Sequence, residues 1–171
     1  SGATLNFNNG AGYSPTANTS ISGGTVNFDT GSGITTGTLS QSGGTLQGAD
    51  DITVSGKTTW SHTFNNFTVG GTGVFYANGG LDWSSGFNKA VTLNRDLVHG
   101  DEAGDTGTWS VGGVALSGTG TFTNNGTLNA TGNNAGSNLQ VNVAFINAGT
   151  VAKTAGASDL VFAGSFTNNG L

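Results

Sequence analysis

Apolar residues return at a nearly constant interval along the whole chain, and this period constrains the fold more than any other feature. Three interleaved series share it. The first is Leu5, Val26, Leu46, Val69, Leu93, Leu116, Leu139 and Phe162; the second is Leu39, Trp60, Trp83, Trp109, Leu128, Val151 and Leu171; the third is Ile52, Phe75, Val98, Phe122, Phe145 and Phe166. One period of about 22 residues in three series predicts a coil that contains three strands.

Within each predicted strand, an apolar residue stands between two polar ones, as in Thr59-Trp60-Ser61. An alternation of period two points the apolar side chain inward and its neighbours outward. Gly, Thr, Asn and Ser make up 94 of the 171 residues, which disfavours helices. We therefore predict an all-β parallel β-helix of about eight coils, in one domain over 1–171. A β-sandwich is the alternative, because its turns also recur at short intervals.

Composition excludes several classes of function. The net charge is −5 and the chain has 4 Lys and Arg residues, so it lacks the basic stripe that binds nucleic acid or anionic membranes. Cysteine is absent, which excludes a disulfide framework, a thiolate zinc site and a cysteine nucleophile. No apolar run is long enough to span a membrane.

Two strings, SGGTLQGADDITVSGKTTWS at 42–61 and GTFTNNGTLNATG at 120–132, resemble the repeats of large bacterial surface proteins. Those are the filamentous-haemagglutinin-like and autotransporter-passenger-like β-solenoids. The resemblance implies a right-handed parallel β-helix on or outside a bacterial cell, serving as stalk, adhesin or filament. We expect a structural or adhesive module, not an enzyme, with no cofactor and with surface carbohydrate as a candidate ligand. No haemagglutination-domain or secretion-domain signature is present, so the secretion route stays open.

Carboxylates offer the alternative chemistry. Asp29 and Asp50 lie one coil apart and are expected to meet at one corner, with Asp51 and Asp96 near the same phase. Paired carboxylates can cleave polysaccharides or bind Ca²⁺, so a polysaccharide-active or carbohydrate-binding β-helix is the competing hypothesis. No Lys or Arg accompanies Asp29 or Asp50 in the sequence, which weakens the enzyme interpretation. The weak Ca²⁺ candidates are Asp29, Asp50, Asp51, Asp101, Glu102 and Asp105.

The segment 94–107 is the one charged stretch, and its corner is longer than its neighbours. It is interpreted either as a solvated turn or as the place where a function is grafted onto the scaffold. His99 lies within it. The other histidine, His62, follows Ser61 directly, and neighbours on a strand face opposite ways, so the two cannot form a nucleophile and its base.

Two columns of like residues are expected along the axis. Trp60, Trp83 and Trp109 occupy an inward phase, which favours core packing over a sugar-stacking platform, although a shift of one residue would turn them outward. Three asparagines each stand two residues after a Phe and therefore share one phase: Asn124, Asn147 and Asn168. Their stacked side chains are expected to form a ladder of amide hydrogen bonds along the axis. An ice-binding surface is disfavoured because the outward positions mix Thr, Asn, Asp, Ser and Gly.

Neither end of the sequence resembles a cap. The core motif TLNF already stands at 4–7, and Leu171 falls at a core phase. Solenoids need polar caps, since a terminal coil exposes unpaired strand edges. We therefore expect both ends to be covered, either by further repeats or by stacked subunits of the same type.

Overall fold

The computed structural model describes residues 2–62, 65–85, 89–101, 104–132 and 137–170. Within these ranges the chain forms β-strands in three sheets and no helix. All the strand pairs are parallel. We name the sheets A, B and C.

The strands of each sheet follow one another along the axis. Sheet A contains β1 (Thr4–Phe7), β3 (Thr25–Phe28), β6 (Thr45–Gln47), β9 (Phe67–Val69), β12 (Ala90–Leu93), β15 (Val114–Ser117), β18 (Leu139–Val141) and β21 (Leu160–Phe162). Sheet B contains β2 (Asn18–Ile21), β5 (Thr38–Gln41), β8 (Thr58–His62), β11 (Leu81–Ser85), β14 (Thr106–Trp109), β17 (Thr127–Ala130) and β20 (Thr150–Lys153). Sheet C contains β4 (Ile34–Thr36), β7 (Ile52–Val54), β10 (Phe75–Ala77), β13 (Leu97–His99), β16 (Thr121–Asn124), β19 (Ala144–Asn147) and β22 (Phe166–Asn168).

From β3 onward the chain visits sheet A, then sheet C, then sheet B, and returns to sheet A one coil later. This is a β-solenoid of about seven turns with three strands in each coil, close to the eight coils predicted. The first coil differs, because residues 8–17 form irregular structure where later coils place a strand of sheet C.

Burial alternates along the strands as the polar–apolar pattern requires. In β7, Ile52 and Val54 are buried, and Thr53 between them is partly exposed. The inward side chains fill a narrow core in which Trp60, Trp83 and Phe75 are fully buried. The alternation in the sequence thus gives one continuous core. The side chains between the core residues, mostly Thr, Asn and Ser, lie on the outer faces of the sheets.

The first predicted column is mostly buried, but its register changes once. Leu5, Val26, Leu46, Val69 and Leu93 are successive partners along sheet A. Leu116 then pairs with Val91 in place of Leu93, a shift of two residues that keeps its side chain inward. Leu139 pairs with Val114, so it lies in a neighbouring column, two residues away from that of Leu116 and Phe162. Leu5 is 54% exposed, so its predicted burial is wrong.

The other two series need similar corrections. On sheet B, the partner of Trp60 is Gln41, while Leu39 pairs with Thr58. Leu128 pairs with Gly107 and not with Trp109, again two residues away.

On sheet C the predicted member Val98 is wrong. Leu97 is the partner of Phe75 and Phe122, and Val98 faces outward. The actual steps are 22 and 25 residues, and an odd displacement exchanges the two faces of a strand.

Candidate functional site

The structure brings Asp29 and Asp50 to one corner, as their phase predicted. Asp29 Oδ1 accepts a hydrogen bond from the Ala49 amide at 2.7 Å. Asp50 accepts from the Thr30 amide at 2.6 Å, from Thr30 Oγ1 at 2.7 Å and from the Gly31 amide at 3.1 Å. Each carboxylate therefore binds a residue adjacent to the other. Asp50 is buried, whereas Asp29 is exposed.

An open groove of about 400 Å³ runs beside this corner, and its lining is Gly31, Ser32, Gly33, Ala49, Asp50 and Asp51. Because three hydrogen bonds already engage the Asp50 carboxylate, the groove presents mainly backbone and the exposed Asp51 to a ligand.

Other acidic residues hold consecutive coils together in the same manner. The Oδ1 atoms of Asp51, Asp82 and Asp96 accept backbone amide hydrogens from the next coil, 23 to 26 residues onward. The distances are 2.7, 2.9 and 2.8 Å, and the donors are Val74, Thr108 and Thr121. Hydrogen bonds from amides to carboxylates are charge-assisted. Sequence reasoning missed this structural role, although Asp51 and Asp96 share the signal of standing directly before a strand of sheet C.

Among the described residues, the Ca²⁺ candidates do not form a cluster of the size that binds a metal ion. No group of three or more His, Cys, Asp or Glu side chains lies at metal-binding distance among those residues. In the charged corner, the Asp101 amide donates to Asp105 Oδ2 at 3.1 Å. Glu102 lies outside the described residues.

Arg95 lies inside the solenoid and not in a solvated turn. It is 2% exposed, and its Nη2 donates to the carbonyl oxygens of Gly48 at 2.8 Å and Asp50 at 3.2 Å. Gly71 leaves room for it, since a Cβ there would stand 2.8 Å from Nη2. Burial lowers the pKa of Arg95, while Asp51 and Asp50 oppose that shift. The expectation that no cation accompanies Asp50 is therefore wrong: the cation comes from two coils onward.

The predicted amide ladder is present on the inner face of sheet C. Asn124 Nδ2 donates to Asn147 Oδ1, and Asn147 Nδ2 donates to Asn168 Oδ1, both at 2.7 Å. The same two amide groups also donate to the backbone carbonyls of Thr150 and Gly149, each at 3.0 Å. Because a carbonyl oxygen only accepts, these two bonds fix which way each amide points.

His99 extends this ladder by one coil, which the sequence analysis did not anticipate. It is fully buried and in register with Asn124, and its Nδ1 lies 2.6 Å from Asn124 Oδ1. Burial lowers the pKa of His99; the hydrogen bond with Asn124 opposes this shift. The sequence does contain a signal for this role: His99 stands two residues after Leu97, the same offset that separates Asn from Phe in the Phe-x-Asn strands.

The tryptophans face the core, and the sugar-stacking alternative is therefore wrong. Trp60, Trp83 and Trp109 are each 0% exposed. Their rings pack edge to face, with centroids 5.9 and 5.4 Å apart along the column. Ser61 and His62 are adjacent on β8, and the His62 side chain lies outside the described residues.

The outer face of sheet A carries a more regular row than the sequence suggested. Five consecutive coils place a threonine at the same position, in the order Thr4, Thr25, Thr45, Thr68 and Thr92. The parallel row two residues onward begins Asn6, Asn27 and Gln47. We call these two rows the Thr–amide face. It is uncharged, and its threonines repeat at the spacing of neighbouring strands, about 4.8 Å.

Both ends of the solenoid present strand edges. On sheet A the outermost strands are β1 and β21, and on sheet C the last strand is β22. The exposed large apolar side chains of the described structure lie on these strands: Leu5 is 54% exposed and Phe166 is 46% exposed. At the N-terminal end, Tyr13 of the irregular segment 8–17 packs on Phe7 and Phe28, with ring centroids 4.9 and 5.0 Å away. Its ring thereby covers part of the core in the first coil.

Comparisons of the chain with protein-family models, with curated proteins and with solved structures find no match. The β-solenoid that the resemblance implied is present, but no relative supports a bacterial surface family. No helix capable of crossing a membrane occurs in the part of the chain that the structure describes.

Proposed function

We propose that this chain is a structural and adhesive module of the extracellular or cell-surface type, a stiff spacer built into a longer rod or filament. The observation that carries the proposal is the uninterrupted stack of about seven coils, which three parallel sheets join along the axis. At about 4.8 Å per coil, such a stack spans roughly 34 Å. Three sheets and the inter-coil carboxylate bonds join each coil to the next, which favours stiffness over flexibility.

The end faces are the proposed sites of assembly. Unpaired strand edges bind further strands through backbone hydrogen bonds, and Leu5 and Phe166 provide exposed apolar surface at the same places. Further coils or another copy of the chain would cover both. A head-to-tail contact of this kind is heterologous and does not close, which suits a filament.

Sedimentation velocity and electron microscopy of the 171-residue chain test assembly directly. We expect association that grows with concentration. Leu5→Lys combined with Phe166→Lys should abolish it, because charge on an edge strand opposes pairing. The matched control is Thr123→Lys, which places the same charge on a partly exposed side chain in the middle of sheet C and should leave association unchanged. A strictly monomeric native chain at high concentration, with both terminal coils ordered, would contradict the proposal.

Adhesion is assigned to the outer faces, and foremost to the Thr–amide face. An uncharged, regularly spaced row of hydroxyl and amide groups suits a repeating polar ligand such as surface carbohydrate. Glycan-array binding of the native chain should fall in Thr45→Lys and Thr68→Lys and persist in Thr53→Lys, on sheet C. Equal loss in all three would remove the assignment.

The competing hypothesis is catalysis or Ca²⁺ binding at the Asp29–Asp50 corner. Our proposal treats the corner as structural, because both carboxylates already accept backbone hydrogen bonds. Polysaccharide hydrolysis should be absent, so Asp29→Asn and Asp50→Asn should change no activity. Thermal unfolding should not respond to Ca²⁺; a rise of many degrees at sub-millimolar Ca²⁺ would instead identify a metal site.

A further inference from the structure

The inward column at the end of the sheet C strands changes character at His99. Its members before His99 are Thr36, Val54 and Ala77, and those after it are Asn124, Asn147 and Asn168. His99 is thus the first link of a polar chain and the only titratable one. It is 0% exposed, so its ring has exchanged water for protein contacts.

The ladder determines which ring nitrogen carries the hydrogen. Asn124 Nδ2 donates to Asn147 and to the Thr150 carbonyl, so Asn124 Oδ1 is the atom that faces His99. A carbonyl oxygen accepts only, and therefore His99 Nδ1 is the donor in the 2.6 Å bond. In the neutral ring, Nε2 then has a lone pair and no hydrogen.

Nε2 is buried and has no hydrogen-bond partner in the described structure. Gly107, on the facing strand β14, closes this side of the ring: a Cβ at Gly107 would stand 2.6 Å from Nε2. Phe122 stacks against the ring, with centroids 6.2 Å apart. The site accommodates the neutral ring, whereas protonation would add a buried charge and an N–H without an acceptor.

Three charged side chains act on the pKa of His99, one from its own coil and two from the preceding coils. Lys57 disfavours the protonated ring, while Asp105 and Asp82 favour it. Lys57 lies against β14, since its Nζ donates to the Thr106 carbonyl of that strand. The same Nζ lies 3.6 Å from Asp82 Oδ1. Burial is the largest influence on the pKa of His99.

We propose that His99 makes the stability of the solenoid sensitive to acid: protonation of Nε2 destabilises the two coils that contain β13 and β16. Burial lowers the pKa of His99 below the value of 6.5 for an unperturbed histidine. The native state therefore binds fewer protons than the unfolded chain. The neutral His99 ring therefore contributes fully to stability above pH 6.5, and this contribution is lost as the pH falls through the pKa of His99 in the native state.

The test is the pH dependence of urea unfolding between about pH 7 and 5.3, above the range in which carboxylates titrate. As the pH falls from 7 to 5.3, the unfolding equilibrium constant of the native chain should rise, with a slope that approaches a limit of about tenfold per pH unit, corresponding to one proton. His99→Asn should abolish this dependence, because an Asn at this position continues the amide ladder without a titratable group. The matched control is His62→Asn, which should retain the dependence of the native chain.

A slope that survives in His99→Asn, or disappears in His62→Asn, would overturn the proposal. Should His99→Asn fail to fold, the imidazole ¹⁵N shifts of the native chain decide the matter. We expect the Nδ1-protonated neutral ring to persist below pH 6.5. Titration of His99 at or above pH 6.5 would refute the proposal.

Discussion

Two inward columns run along the solenoid, one on sheet B and one on sheet C, and they are held together in different ways. On sheet B, Trp60, Trp83 and Trp109 contact one another edge to face, through apolar surface. On sheet C, Asn124 and Asn147 are joined by a directional bond of 2.7 Å. Apolar contact is stabilising in many orientations, whereas an amide bond requires a donor opposite an acceptor.

The neighbours of each column show the consequence. The Trp column continues into Gln41 on one side and Ala130 on the other, and the Nε1 groups of Trp60 and Trp109 are buried without a partner. The polar ladder has bonded amides at every level from Asn124 onward. We infer that the tryptophans provide much of the stability and that the amides specify register.

The largest effect is expected from Trp83→Ala, which removes the middle ring of the Trp column. Loss of a fully buried aromatic side chain costs about 3–5 kcal/mol, through lost transfer free energy and a cavity. Urea unfolding monitored by far-UV circular dichroism measures it, and Trp83→Phe should lose distinctly less. A cost below about 1 kcal/mol for Trp83→Ala would show that this column is not the main support.

Gly107→Ala tests the contact between sheet B and His99, at the start of the polar ladder. The added methyl group would stand 2.4 Å from the Leu81 carbonyl oxygen and 2.6 Å from His99 Nε2. Such overpacking should destabilise the protein by about 2–3 kcal/mol. Gly104→Ala is the control, since nothing lies within 4 Å of a Cβ there. Equal stability of the two variants would mean that the ladder and sheet B are not in tight contact.

Asn147→Leu interrupts the ladder with little change of volume. It removes the acceptor of Asn124 and the donor to Asn168, and we expect a loss of about 1–2 kcal/mol in the free energy of unfolding. Asn168→Leu, at the exposed end, should cost less because water can replace its bond. If the terminal variant is the more damaging one, the ladder does not act as an internal register device.

Trp109→Phe should have the smallest effect, below about 1 kcal/mol in either direction. Removing the unpaired Nε1–H relieves a buried polar group, which offsets the lost ring volume. Equilibrium unfolding in urea is again the measurement. A loss above about 2 kcal/mol would show that the indole nitrogen has a structural role.

The sequence alone determined the architecture, because a solenoid is built from contacts between neighbouring repeats, and a repeat is visible in one dimension. The three series predicted three sheets, and alternation predicted that Trp60, Trp83 and Trp109 face inward. The common offset after a Phe predicted the amide ladder. Each of these features depends on local pattern, and each is present in the structure.

The tertiary structure alone decided register and long-range partners. Corners absorb varying numbers of residues, so period and face together leave displacements of two residues open, as at Leu116 and Leu128. At β13 the inward residue two positions after Leu97 is the polar His99, so the polar–apolar alternation favours Val98 over Leu97 as the core residue. The contact of Arg95 with Asp50 spans 45 residues and has no local signal. Such partners are set by which corner lies above which, and that depends on the lengths of all the coils between them.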